Sequence, residues 1–185
     1  MTILVRYCGG IRFDRVPPPR ALLVLALGAL ASLVCAACTS GDEPLRFEIY
    51  SHGTDEVVYS TPISPGEPIT LDHIHSVHKR PVHEVFSVNE QGRMTMREMV
   101  FDRIGANLPG GPETIGGITT TYLVEDGQFR VLHHDRPLGI VPMIVGHPAV
   151  DHTITMPSGT SVRLLDLVRA GARVDLRTNH ATTTR

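Results

Sequence analysis

Cysteine is nearly missing from this 185-residue chain: the three Cys are Cys8, Cys35 and Cys38, and none follows. A disulfide framework is therefore excluded for everything after residue 38. The roughly 135 residues of folded domain must be held by a hydrophobic core, for which that length suffices. Excess basic charge is missing too. From residue 38 onward 13 Lys and Arg stand against 18 Asp and Glu, a net of −5. That rules against nucleic acid as a partner, because phosphate neutralisation needs a basic surface. Neither an H-E-x-x-H zinc motif nor a G-x-S-x-G nucleophile elbow occurs, and there are no internal repeats or coiled-coil heptads. Helical pattern is confined to residues 164–170 (LLDLVRA), with Gly171 as the C-cap candidate.

What is present begins with a targeting segment. Arg6, Arg12, Arg15 and Arg20 precede an uncharged apolar run over residues 21–38 that ends in small residues. A basic region, an apolar region and small residues at its end make a secretory signal peptide. Cys35-Ala36-Ala37-Cys38 resembles the bacterial lipobox, with Cys35 standing where Leu is usual, so Cys38 is the lipidation candidate. Ordinary cleavage near Ala37 and retention as a single membrane anchor are the alternatives, since eighteen uncharged residues are just long enough to span. All three place the remainder outside the cytoplasm. The chain thus divides into a signal segment (1–38), a polar tether (39–44), a single β domain (45–178) and a polar tail (179–185).

Within that domain the pattern is one of short strands between Gly/Pro punctuation. Residues 45–50 and 56–60 read as a hairpin. Residues 102–117 (DRIGANLPGGPETIGG) form a long Gly/Pro-rich loop, of a length usually functional or disordered in compact domains. Strand-like runs follow at 119–124, 129–134, 139–145, 150–156, 160–164 and 173–178. Many short strands at regular spacing predict a mainly β fold, an antiparallel β-sandwich or partly open barrel with one short helix near the C-terminus.

The centre of the sequence is residues 71–88, LDHIHSVHKRPVHEVFSV. Two strands flank a Pro-containing break, and alternation puts Leu71, His73, His75 and Val77 on one face, with Val82, Glu84, Phe86 and Val88 sharing another. A four-residue turn over 78–81 sets His75 opposite Glu84 and Leu71 opposite Val88. A hairpin loop ending in Gly92 then aligns Val88 with Met94, Phe86 with Met96, and Glu84 with Glu98. His75, Glu84 and Glu98 are therefore expected in one polar row across three strands, surrounded by apolar side chains. Burial of such a row without partners costs several kcal/mol, so its members must satisfy one another or hold something else.

These residues resemble a bacterial family, the domain of unknown function 1850. Its pattern is an aromatic, then I-H-S-V, a Pro, and a Glu a few residues on, followed by a Glu-containing strand that leads into G-A-G-x-P. Here these stand as Ile74-His75-Ser76-Val77, Pro81, Glu84, Glu98 and Gly105-Ala106-Asn107-Leu108-Pro109. His73 replaces the aromatic, and Asn107 replaces the second Gly. The resemblance implies an exported accessory component of TAXI-type tripartite (TRAP) transporters, which import organic anions with an extracytoplasmic solute-binding protein. The partners implied are the membrane subunit or the solute-binding protein; an enzymatic activity is not implied, and no cofactor is expected.

Three readings of the polar row compete. As a structural network it fixes strand register. As a pocket, His75, Ser76, Glu84 and Glu98 join the loop Gly105, Ala106, Asn107 and Pro109 to hold a small anion. As a metal site, His73, His75, Glu84 and Glu98 supply nitrogen and oxygen ligands suited to zinc, with His133, His134, His147, Asp151 and His152 as further candidates elsewhere. Ser76 as a nucleophile is disfavoured, because on a strand it points away from His75. The expectation is a non-enzymatic, membrane-tethered accessory protein, with an independent metal- or small-anion-binding protein as the alternative.

Overall fold

The computed structural model describes residues 44–180. The signal segment, Cys38, residues 39–43 of the tether and residues 181–185 of the tail lie outside the described residues. The chain opens with the hairpin β1 (Leu45–Ser51) and β2 (Glu56–Pro62), then the meander β3 (Ile69–Ile74), β4 (Pro81–Val88) and β5 (Met94–Phe101). The long loop carries a small hairpin, β6 (Thr114–Ile115) and β7 (Ile118–Thr119). There follow β8 (Thr121–Glu125), β9 (Gln128–Gly139), β10 (Val141–Ile144), β11 (Thr153–Thr155), β12 (Ser161–Arg163), the single-turn helix α1 (Leu164–Leu167) and β13 (Arg173–His180).

Besides the two-stranded β6–β7 hairpin, two larger antiparallel sheets result, neither closed into a barrel. One has the strand order β10-β13-β1-β2, the other β12-β11-β3-β4-β5-β9-β8. They pack as a sandwich because each strand is apolar on one face. Phe47, Ile49, Val174 and Leu176 of the first sheet share one core with Ile69, Leu71, Phe86, Val88, Met94, Met96 and Ile154 of the second. A smaller cluster of Val82, Phe101 and Val131 continues the inner face of the large sheet, and Leu108 from the long loop packs on it. That long loop is thus a lid for one end of the sheet. Tight turns follow their residues: Gly116-Gly117 and Asp126-Gly127 take positive φ at both central positions, as two-residue hairpins require.

Four expectations need correction. The helix is one turn, not two, because Val168 is already extended, at φ −143°. The strand expected over 129–134 is longer: β9 runs unbroken through residue 139, with His134 and Asp135 left-handed where it bulges against β5, and the strand expected over 139–145 is the shorter β10, Val141–Ile144.

The third correction concerns register. β3 and β4 pair with Leu71 opposite Glu84 and His73 opposite Val82. The slide is an even one, so the sets of side chains sharing a face survive. The turn is longer than four residues because the chain leaves the sheet at His75, whose N–H donates to Arg80 O at 2.8 Å. Val77 consequently sits in a loop and not in the ladder.

The fourth lies between β4 and β5. Val88 faces Met94 and Phe86 faces Met96, but Glu84 faces Met99 and Val82 faces Phe101. Arg97 is the extra residue of a β-bulge, which reverses alternation beyond it. Exposed Arg97 and Asp135 meet across the two bulged strands at 3.4 Å.

Candidate functional site

His75, the first residue after β3, is buried, only 7% exposed. Its Nδ1 accepts hydrogen bonds from the backbone N–H of Val77 (3.3 Å) and of His78 (3.2 Å). Its Nε2–H donates to the carbonyl of Ala106 at 2.9 Å. One neutral tautomer satisfies all three contacts, since a ring nitrogen facing two N–H groups must offer its lone pair. The imidazole thereby closes its own loop, residues 75–80, and ties it to the loop after β5. The ring of His78 stacks on that of His75, with centroids 5.1 Å apart.

Gly105 and Asn107 fit that junction for different reasons. A Cβ on Gly105 would stand 2.4 Å from His78 Cδ2, so the close approach of the two loops needs a residue without one. Asn107 adopts φ 65° in a turn in which Leu108 N–H donates to Gly105 O at 3.1 Å. A left-handed third turn position favours Gly and next Asn, so the departure at Asn107 from the G-A-G-x-P pattern is accommodated. Leu108 then reaches the smaller apolar cluster.

A second polar group lies on the inner face of the large sheet. His73 Nδ1 is 3.8 Å from Glu84 Oε1, and the ring of His73 lies 5.1 Å from that of His152, centroid to centroid. Burial, reinforced by the neighbouring His152 and His75 and opposed by Asp72, lowers the His73 pKa to about 4. Burial raises the Glu84 carboxyl to about 7, against the pull of His83. Despite its ion-pair distance, the contact is therefore no salt bridge at neutral pH, because the imidazole is uncharged. His152 is depressed as well, by burial against the opposing Asp151, and its Nδ1 accepts the N–H of Gly146 at 3.1 Å.

The row expected across three strands is therefore divided. Glu84 meets His73 instead of His75. Glu98, turned to the other face by the bulge, takes a two-pronged ion pair from Arg130, with Nε–Oε1 and Nη2–Oε2 both 2.8 Å. Ser76 is exposed, while His75 spends both ring nitrogens on backbone. Among the further candidates, His134 Nε2 pairs with Thr121 Oγ1 at 2.9 Å, and Asp151 accepts from Arg163 Nε at 2.5 Å. His133 is buried with neither ring nitrogen partnered, its pKa lowered to about 4 by burial first and by nearby Arg136 and His134 next. Among the described residues no group of three or more His, Cys, Asp or Glu is placed to hold a metal ion. The neutral tautomers of His75 and His152 explain part of this, since their Nδ1 lone pairs are already engaged.

Sequence reasoning set His152 apart from the central row, and it missed Arg130 and the bulge at Arg97. His152 is brought to His73 because β11 pairs with β3, a contact between segments about eighty residues apart that no local pattern signals. Arg130 carried a weak signal, as an outward-facing cation on a strand-like run. Residues 69–163 match a family model described as a domain of unknown function (DUF1850). No curated protein and no solved structure matches the chain.

Proposed function

The chain belongs to the family of the domain of unknown function DUF1850, and from that membership we propose that it is an exported, membrane-tethered, non-enzymatic accessory protein of a TRAP–TAXI solute importer. The basic and apolar N-terminal segment ending at Cys38 supports export and tethering. The resemblance carried by Ile74-His75-Ser76-Val77, Glu84, Glu98 and the 105–109 loop supports the transport association.

The observation that carries the non-enzymatic reading is the use made of His75. A general base needs a ring nitrogen free to take a proton from a reacting group. His75 instead accepts two backbone N–H groups and donates to a backbone carbonyl. The motif therefore works as a clamp that joins two loops, which suits a protein that presents a surface to a partner.

Co-purification tests this. The full chain, tagged and solubilised from its own membranes, is expected to bring down the membrane subunit or the solute-binding protein of the importer. Solute uptake that is unchanged after deletion of the gene would sink the proposal, as would stoichiometric metal in the purified chain that disappears with His75→Ala.

A further inference from the structure

We propose that the apex built from residues 75–80 and 102–106 is the docking surface for a partner protein that offers an acidic rim around an apolar recess. The inference rests on the accessory reading and names the contact face that reading requires. Two apolar side chains project from the apex: Val77 is 66% exposed and Ile104 49% exposed. Each stands beside a contact that fixes it, Val77 next to the stacked His78 and Ile104 next to Gly105, against which His78 packs. The knobs are therefore held in place and not left on floppy loops.

Around them lie exposed Lys79, Arg80 and Arg103. Arg80 grips Asp102 through Nε, at 3.1 and 2.8 Å from the two carboxylate oxygens, and Arg103 adds to the positive field on that carboxylate. Asp126 lines the same open cleft. Three cations against two carboxylates make the apex a basic spot on a chain whose formal charge is −2. Apolar anchors with a charged rim are the pattern of an interface centre.

Backbone conformation points the same way. Among the described residues, seven non-glycine residues have positive φ, and six of them are Asp, Asn or His, the types that tolerate it. The seventh is Lys79, at φ 53°. Its N–H donates to His75 O at 2.9 Å, closing a helix-like turn at a position where Gly or Asn is the low-energy choice. A lysine kept in a strained conformation on an exposed apex is expected where its charge is used.

Position decides between protein and lipid as the occupant. Pro44, the first described residue, lies beside Gln91 and Gly92 in one groove, at the β4–β5 turn. The apex is at the opposite end of those strands, about 26 Å away for an eight-residue strand. The apex is thus on the end of the domain remote from Pro44, which favours a protein over the headgroup layer as its occupant.

The test uses the full chain and the purified membrane and solute-binding subunits of the importer. A benzophenone side chain at position 77 or 104 is expected to cross-link to one subunit, and the same group at exposed Ile144, on the other sheet, is expected not to. Val77→Asp and Lys79→Asn are each expected to weaken the complex at least tenfold, with Lys79→Asn melting at or above the wild-type temperature. A complex equally strong in both variants, or cross-linking from position 144 alone, overturns the inference and leaves the accessory reading standing. Binding of wild-type chain to phosphatidylglycerol vesicles that Val77→Asp abolishes, with the subunit complex untouched, also overturns it. If the wild-type chain binds neither subunit, the accessory reading fails and this inference with it.

Discussion

Glu84 and Glu98 stand on opposite faces of the seven-stranded sheet. Glu84 is opposite Met99 in the ladder, and Glu98, one residue before Met99, must point the other way. Each carboxylate therefore has its own chemistry. Glu98 faces outward and is paired with Arg130, whereas Glu84 faces inward beside a neutral imidazole and keeps its proton to about pH 7.

That burial gives Glu84 a measurable pH signature. Its carboxyl ionises near 4.5 when unfolded and near 7 when folded, so between those values the folded state binds the extra proton. Stability from this group therefore falls as pH rises through that window, and the full cost persists above it. Glu84→Gln is expected to be nearly neutral below pH 4.5 and to stabilise the protein by roughly 3 kcal/mol above pH 7. Thermal melts of both proteins from pH 4 to 9 check this; an offset that does not change with pH contradicts it.

His73 has the opposite slope. Its pKa falls from 6.5 to about 4 on folding, so the unfolded state binds the extra proton between those values and stability is lost as pH drops through them. Between about pH 4.5 and 6.5 each state then carries one proton on the pair, and the two slopes cancel. His73→Phe, the aromatic that the family pattern places here, is expected to fold. It should uncover the Glu84 slope, so that relative to wild type it gains stability as pH falls from 6.5 to 4.5. Denaturant titrations at four pH values in that range measure the difference. Parallel profiles would show that the two groups do not offset one another.

The clamp makes a local prediction. His75→Ala removes two hydrogen bonds to backbone N–H groups and one to a carbonyl, and leaves a small void. At about 1 kcal/mol for each bond, a loss of roughly 3 kcal/mol is expected. Hydrogen exchange should speed up first at the amides of Val77 and His78, with the β1–β13 ladder less affected. Uniform acceleration across the domain would place the effect elsewhere.

Gly105 and Asn107 separate sterics from backbone conformation. Gly105→Ala drives a methyl group against the His78 ring and is expected to cost about 1–3 kcal/mol, the range for overpacking. Asn107→Gly suits its φ of 65° and is expected within about 0.5 kcal/mol of wild type, while Asn107→Ala costs about 1 kcal/mol. Urea midpoints rank the three; Asn107→Gly as damaging as Gly105→Ala would contradict the turn assignment.

The strand pattern made the meander β3–β5 and the first hairpin legible, because alternating apolar residues admit one inward face. The pairings Val88–Met94 and Phe86–Met96 were also legible, since a short loop ending in left-handed Gly92 fixes the register near it. Six residues past Gly92, the same reasoning failed at Glu98. A bulge at Arg97 adds one residue to one strand only, and its facing distortion at His134–Asp135 belongs to a neighbour over thirty residues away.

By itself, then, the sequence determined the class of fold, the inward faces of β3 and β4, and membership of the family. Those follow from local sterics and from the two-residue period of a strand. The tertiary structure alone decided which polar groups meet: His75 with the backbone of the 105–109 loop, His73 with Glu84 and His152, and Glu98 with Arg130. Such meetings depend on the sum of a loop length, a bulge and a crossover between distant strands. A shift of a single residue at any of these moves a side chain to the other face of the sheet.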